Sequence, residues 1–233
     1  SGCWRTSRMI NLKINGIDVA VDWGTTLLEA AEFLGLPIPT LCHMEGLTPY
    51  GACRLCVVEV GKPPNSKLVT SCTYPAEEGL EVRTASARVV RARKIIVELL
   101  LASCPQSKTI QDIAAAMEVR QQRFRQENED CILCGRCVRM CSEQMVAGAI
   151  GFTGRGQDRA IGTPFDSHSE VCRLCGGCIY VCPACELRCT YTDPEKAICG
   201  GCANLAPPCV DKPQFDDMMC YMQPCVACEI KED

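Results

Sequence analysis

Two stretches of this chain each place four cysteines at the same spacing. Cys131-Ile132-Leu133-Cys134-Gly135-Arg136-Cys137-Val138-Arg139-Met140-Cys141 and Cys172-Arg173-Leu174-Cys175-Gly176-Gly177-Cys178-Ile179-Tyr180-Val181-Cys182 both read C-x2-C-x2-C-x3-C. Thiolate is the soft ligand that iron–sulfur clusters select, and two intervening residues let the backbone wrap one corner of a metal–sulfide cube. Gly135, Gly176 and Gly177 allow close backbone approach to inorganic sulfide, where N–H groups donate to cluster sulfur and tune its potential. C-x2-C pairs also build zinc sites, but zinc is complete with four ligands. It has no use for a third cysteine at the same spacing and a fourth after three more residues. The two runs therefore point to two [4Fe-4S] clusters, and paired clusters point to electron transfer.

The second run continues into Pro183, so it ends in the Cys-Pro of the bacterial ferredoxin signature, which it resembles. That resemblance implies crossed ligation, the fourth cysteine of each run serving the other cluster. Cys131, Cys134, Cys137 and Cys182 would hold one cubane, and Cys141, Cys172, Cys175 and Cys178 the other.

Twenty-two cysteines in 233 residues mark either a disulfide scaffold or a metal protein. The chain is longer than domains that need disulfide staples, its cysteines cluster at metal spacings, and Ser1 to Met9 lacks the apolar run of a secretory leader. The expected compartment is a reducing cytoplasm. The longest apolar stretch, Ile95 to Ala102, contains Glu98 and is too short to span a bilayer. A net charge of −4 with mixed signs provides no basic stripe for nucleic acid.

The elements that must position a further set of cysteines come first in the chain. Met9 to Ile14 alternates, Asn15-Gly16 is a hairpin turn, and Ile17 to Val21 alternates again. Thr25 or Thr26 caps a short helix over Leu27 to Leu34, stopped by Gly35 and Pro37. Cys42, Cys53, Cys56 and Cys72 then run C-x10-C-x2-C-x15-C around a strand at Val57 to Val60 and a turn at Pro63-Pro64-Asn65. Hairpin, helix, cysteine loop and strand read as a β-grasp ferredoxin with a [2Fe-2S] cluster on these four cysteines. The first gap is longer than the plant-type C-x4-C. Ala85 to Ala102 is helical in character, and its Arg88, Arg91, Arg93 and Lys94 read as a solvated face or one that meets an acidic partner. A second helix is expected over Thr109 to Arg125, from Ile110, Ile113, Ala114 and Met117 at helical spacing. Cys104 reads as a packed thiol, and His43 and His168 as polar residues rather than ligands.

Taken in order, Cys42…Gly51-Ala52-Cys53-Arg54-Leu55-Cys56…Ser71-Cys72, the helix from Arg93 to Ala102, and the tandem runs separated by Gly151-Phe152-Thr153-Gly154-Arg155-Gly156-Gln157-Asp158 and Thr163-Pro164-Phe165-Asp166 resemble a known module. It is the iron–sulfur module of the complex I large iron–sulfur subunit, of the diaphorase subunit of NAD-reducing hydrogenases, and of multimeric, electron-bifurcating hydrogenases. The resemblance covers residues 9 to 185. Members of that family usually carry H-x3-C-x2-C-x5-C after the helix for one more cubane. Here that region reads Ser103-Cys104-Pro105-Gln106-Ser107-Lys108-Thr109, so the extra cluster is expected to be missing.

Beyond the second run stand Cys185, Cys189, Cys199, Cys202, Cys209, Cys220, Cys225 and Cys228, with prolines at 194, 207, 208, 213 and 224. Cys199-x2-Cys202 and Cys225-x2-Cys228 suit zinc, a rubredoxin-like iron or a further cluster, and Cys185, Cys189, Cys209 and Cys220 would complete a second site. So proline-broken a segment is expected to fold only around metal, at one or two sites.

The expected architecture is α+β. A β-grasp [2Fe-2S] domain spans 1–84, a helical connector 85–126, a two-[4Fe-4S] ferredoxin-like domain 127–184 and an irregular metal-bound Cys-rich tail 185–233. Gly154-Arg155-Gly156 lacks the third glycine of a dinucleotide fingerprint and reads as a loop packing near the cubanes. No catalytic constellation accompanies the clusters, so flavin and NAD(P)H are expected on another polypeptide. The resemblance implies an electron-transfer subunit between a flavoprotein NAD(P)H dehydrogenase subunit and a hydrogenase or, next, a formate dehydrogenase subunit. A small [2Fe-2S] thioredoxin-like subunit belongs to such complexes, and soluble ferredoxin joins where they bifurcate electrons. The alternative is a scaffold subunit with structural clusters and a zinc-bound interaction tail.

Overall fold

Period-two alternation puts Ile10, Leu12 and Ile14 of strand β1 (Met9–Ile14) on one buried face. The chain reverses through Asn15 (φ +53°) and Gly16 (φ +84°), the two left-handed residues a two-residue hairpin turn demands, into β2 (Ile17–Asp22). Helix α1 (Leu27–Phe33) starts in a complete capping box. Thr26 Oγ1 accepts from the Glu29 N–H at 3.3 Å, and the Glu29 carboxylate accepts from the Thr26 N–H at 2.7 Å. Leu27, Leu28, Ala30 and Ala31 of α1 close over the sheet. Large side chains such as Leu12, Ile14 and Leu28 contribute about 1.5–3 kcal/mol each through that burial.

Strands β3 (Val57–Val60), β4 (Lys67–Thr70) and β5 (Glu81–Arg83) complete a five-stranded sheet in the order β2-β1-β5-β3-β4. β5 runs parallel to β1 and antiparallel to β3. This mixed sheet with a helix across one face is the expected β-grasp arrangement. Helix α2 (Ala87–Ser103) follows, starting and ending slightly later than the expected segment.

The computed structural model describes residues 9–120, 123–126, 131–167, 169–173 and 175–184. Two compact units emerge: one comprises the stretch up to His43 with Pro49–Ile96, the other Met44–Thr48 with the stretch from Val97 onward. The division between the two falls within α2, after Ile96.

In the second unit α3 (Lys108–Ala116) is shorter than the expected Thr109 to Arg125. Glu118 takes a left-handed φ of +53°, and the N–H groups of Glu118 and Val119 turn back onto Ala115 O (3.0 Å) and Ala114 O (2.9 Å). That reciprocal pair closes a helix end even without glycine. Helix α4 (Arg136–Arg139) runs into a π-helical turn at Met140–Gln144, and α5 (Gly177–Tyr180) packs against both. The glycine-rich stretch between the runs is an antiparallel hairpin of β6 (Gly151–Thr153) and β7 (Ala160–Gly162), where a bare loop was expected. A Cβ on Gly154 would sit 2.2 Å from the Asp158 carbonyl oxygen, so only glycine fits that turn.

Among the described residues no helix is long and apolar enough to cross a membrane. Cys3, His168 and the tail thiols Cys185, Cys189, Cys199, Cys202, Cys209, Cys220, Cys225 and Cys228 lie outside the described residues.

Candidate functional site

The first unit gathers Cys42, Cys53, Cys56 and Cys72, all buried. The β3–β4 hairpin does much of this: Val57 faces Thr70 across the ladder, so the residues just outside that pair meet. Cys56 and Cys72 Sγ stand 3.3 Å apart. Ser71, fully buried between them in sequence, donates both its hydroxyl (2.8 Å) and its N–H (3.2 Å) to the Cys56 carbonyl. The Cys53 turn is shaped by left-handed Gly51 (φ +71°) and Arg54 (φ +61°).

The four thiols cannot all ionise unaided. Hydrogen bonds from Cys53 and Cys72 hold the Cys42 thiol far below its ordinary range, and the bond shared with Cys72 holds Cys56 down to about 6. The Cys42 bond pushes the Cys53 thiol well above its ordinary range, helped by burial and the Cys42 charge. Bonds to Cys42 and Cys56, then burial, do the same to Cys72. Such a set asks for a cationic core to take all four as thiolates, which an iron–sulfur cluster supplies. Among the described residues no group of three or more His, Cys, Asp or Glu is placed to hold a single metal ion. The four thiols form a chain of pairwise contacts rather than a shell closed about one point.

In the second unit the cubane cysteines sort into two neighbourhoods. Burial pushes the Cys134 thiol up to about 11, with the charges of Cys182 and Cys131 adding to it. Burial likewise lifts Cys137 to about 12, reinforced first by Cys182, Cys134 and Cys131. Cys178 also rises to about 12 by burial, but its neighbouring charges are Cys175, Cys141 and Cys172. Cys134 and Cys137 thus both feel charge on Cys182 and Cys131, and Cys178 feels charge on Cys175, Cys141 and Cys172, with Cys178 also acting on Cys137. Backbone donors already aim at sulfur: Leu133 N–H to Cys131 and Ala149 N–H to Cys141, each at 3.2 Å. A Cβ on Gly177 would sit 3.3 Å from Met140 Cγ and 3.7 Å from Cys175 Sγ, so a bare backbone fits best there.

Cys104 is buried, as a packed thiol should be, and His43 is half-buried. Nearby Ser107, 1 % exposed, caps α3 by accepting from the Ile110 N–H and donates to the Pro183 carbonyl at 2.7 Å, directly after Cys182. Ser107→Ala removes a cap and leaves that carbonyl without this donor, so it should cost about 2–4 kcal/mol of stability. Chemical denaturation of the full chain measures this, and Ser107→Thr should recover most of it.

Sequence reading missed four polar residues beside these thiols: Ser71, Arg93, Ser107 and Arg139. The arginines of α2 do not form one solvated face. Arg88 reaches Glu59 (3.9 Å) and the Ser66 carbonyl (3.0 Å), while Arg93 turns inward and donates to the Val57 carbonyl at 2.7 Å. Its four-residue spacing from Val89 and Val97 was the available signal.

Residues 7–87 match the 2Fe-2S iron–sulfur cluster binding domain family, and residues 130–185 match the 4Fe-4S dicluster domain family. The chain is thus an iron–sulfur protein that joins a [2Fe-2S] domain to a dicluster domain. Among known proteins it is 32% identical over 180 residues to the NADPH-Fe(3+) oxidoreductase subunit alpha of Geobacter sulfurreducens, covering 66% of this chain and 21% of that one. It is 34% identical over 181 residues to the mitochondrial NADH-ubiquinone oxidoreductase 78 kDa subunit of Neurospora crassa, covering 66% and 24%. A chain from the crystal structure of an NAD+-reducing [NiFe]-hydrogenase in the H2-reduced state matches with a TM-score of 0.59 at 29% identity, covering 66% of this chain and 74% of that one. The chain spans between a fifth and a quarter of the length of these curated relatives. The resemblance to iron–sulfur subunits of complex I and of NAD-reducing hydrogenases is borne out.

Proposed function

We propose that this chain is the electron-transfer subunit of an NAD(P)H-linked oxidoreductase complex. It would relay single electrons between a flavin NAD(P)H dehydrogenase subunit and a catalytic subunit, a hydrogenase first and a formate dehydrogenase second. A small [2Fe-2S] thioredoxin-like subunit and soluble ferredoxin are further proposed partners, and a reducing cytoplasm the proposed compartment. The observation that supports the reading is that Cys42, Cys53, Cys56 and Cys72 lie buried together, while Cys134 feels charge on Cys182 and Cys178 feels charge on Cys141. Cys42, Cys53, Cys56 and Cys72 would hold the [2Fe-2S] cluster. Cys131, Cys134, Cys137 and Cys182 would hold one cubane, and Cys141, Cys172, Cys175 and Cys178 the other. Bound there, the clusters accept and release one electron at a time, while the protein sets their burial, hydrogen bonding and spacing. The proposed domain division remains 1–84, 85–126, 127–184 and 185–233. The tail would add one or two zinc or iron–sulfur sites on Cys199, Cys202, Cys225 and Cys228, joined by Cys185, Cys189, Cys209 and Cys220.

Iron, acid-labile sulfide and zinc counted on anaerobically purified chain test this, with EPR of the same sample before and after reduction. About ten irons are expected from one [2Fe-2S] and two [4Fe-4S] clusters, with zinc if the tail is structural and about fourteen or more irons if it holds a cluster. NAD(P)H with a flavoprotein dehydrogenase should reduce the clusters reversibly. Clusters that stay oxidised under that treatment, yet reduce with dithionite, would sink the relay reading.

A further inference from the structure

Helix α2 buries one edge at Val89, Arg93 and Val97, positions four apart that fall on one face. Both valines are fully buried and Arg93 is 8 % exposed, so a cation stands in the middle of an apolar stripe. Its Nη2 donates to the Val57 carbonyl at 2.7 Å, while its Nε is buried with no hydrogen-bond acceptor. Glu59, on the strand that Arg93 reaches, is engaged elsewhere, with Arg83 (3.3 Å) and Arg88 (3.9 Å). Among the described residues none of the ion pairs includes Arg93. Leucine would serve this position better on packing grounds alone, since burying an unpaired charge is costly. Burial pulls the guanidinium below its ordinary range, and the charge of Cys56 pushes the other way.

We infer that Arg93 is the buried counter-charge of the [2Fe-2S] cluster and raises its reduction potential. The hydrogen bond places the guanidinium on the carbonyl one residue beyond Cys56, tying it to the strand that presents a cluster thiolate. With four thiolates an oxidised [2Fe-2S] cluster is dianionic, and one added electron makes it trianionic. A fixed cation in a poorly polarisable interior attracts the reduced form more strongly, and burial keeps salt from screening it. One electron passes from a one-electron donor into the iron core. No bond forms or breaks, and Arg93 keeps its proton throughout. Net charge around a cluster is among the terms that set its potential. The inference rests on the four-cysteine ligand assignment and is independent of which proteins exchange electrons with the cluster.

The test is a mediator-poised dithionite titration, followed by [2Fe-2S] EPR, on anaerobic full-length chain carrying Arg93→Met, Arg93→Gln or Arg93→Lys, with Cys56→Ala alongside. In the Met and Gln variants the reduced-to-oxidised ratio at fixed poise should fall at least tenfold, about 59 mV in midpoint for one electron. Arg93→Lys should stay within threefold of wild type, and the cubane midpoints should not move. Equal midpoints in all variants overturn the proposal, as does a Lys variant that falls as far as Met. Loss of the cluster from both neutral variants but not from Lys would assign Arg93 to holding the fold, and also overturns it. A Cys56→Ala chain that keeps the wild-type [2Fe-2S] signal overturns the ligand assignment and the proposal with it. Unchanged midpoints alongside a silent Cys56→Ala chain overturn the proposal alone.

Discussion

Cys141→Ala should erase the same cubane signal as Cys175→Ala, although Cys141 belongs to the other run. Cys182→Ala should erase the one lost in Cys134→Ala. Each single variant is expected to lose about four irons per chain. The double variant Cys141→Ala/Cys175→Ala should lose no more than either single one, because both act on one cluster. The expectation behind this is the proposed exchange of fourth cysteines. The thiol of Cys178 is raised first by burial and then by charge on Cys175, Cys141 and Cys172, whereas Cys134, raised first by burial, feels Cys182 and Cys131. α4 and α5 lie against each other, which would let the cysteine following each short helix reach the cluster begun by the other run. If each run instead served its own cluster, Cys141→Ala would match Cys134→Ala. EPR of the reduced state with iron analysis on the same four variants separates the two patterns.

The sequence was most legible where chemistry is written in short-range pattern. Alternation over Met9–Ile14, the Asn15-Gly16 turn and the threonine cap of α1, which the structure places at Thr26, each fix local structure through neighbours a few residues away. The two C-x2-C-x2-C-x3-C runs are a short-range pattern of the same kind, and residues 130–185 match a 4Fe-4S dicluster domain. β5 was not, because three residues reading Glu-Val-Arg carry no alternation worth detecting, and only pairing with β1 and β3 makes them a strand. The end of α3 was overestimated because its stop is a left-handed glutamate, Glu118, where the usual signal is glycine. The long gap between Cys42 and Cys53 was read only as a family resemblance, with no structure assigned to it. Its Met44–Thr48 segment groups with the dicluster unit, where Glu143 accepts from the Thr48 N–H (2.7 Å) and Gln144 donates to the Gly46 carbonyl. The inward arginines were hidden because their partners are backbone carbonyls, which leave no trace in side-chain pattern.

Arg139→Leu should be the most damaging of the non-cysteine substitutions. Arg139 is 8 % exposed and donates through Nη1 to the Thr48 carbonyl (2.5 Å), through Nη2 to that of Cys134 (3.4 Å), and through Nε to that of Gly135 (3.3 Å). It thereby holds the backbone of a cysteine turn and the Met44–Thr48 segment at once. Leucine fills the volume but leaves the Thr48 and Cys134 carbonyls without these donors, for a loss of about 3–5 kcal/mol. That approaches the whole stability of a small domain, so both cubanes should be lost on purification while the [2Fe-2S] EPR signal survives. Arg139→Lys, with one compact donor group in place of a fork, should recover only part of the iron. Arg93 offers the contrast. One carbonyl depends on it, so an apolar replacement should leave the fold standing and move a potential instead. Iron content for Arg139 and midpoint for Arg93, measured on the same preparations, should therefore change independently. A fall in [2Fe-2S] midpoint in Arg139→Leu, with the cubanes intact, would mean that the two buried arginines do not divide the work in this way.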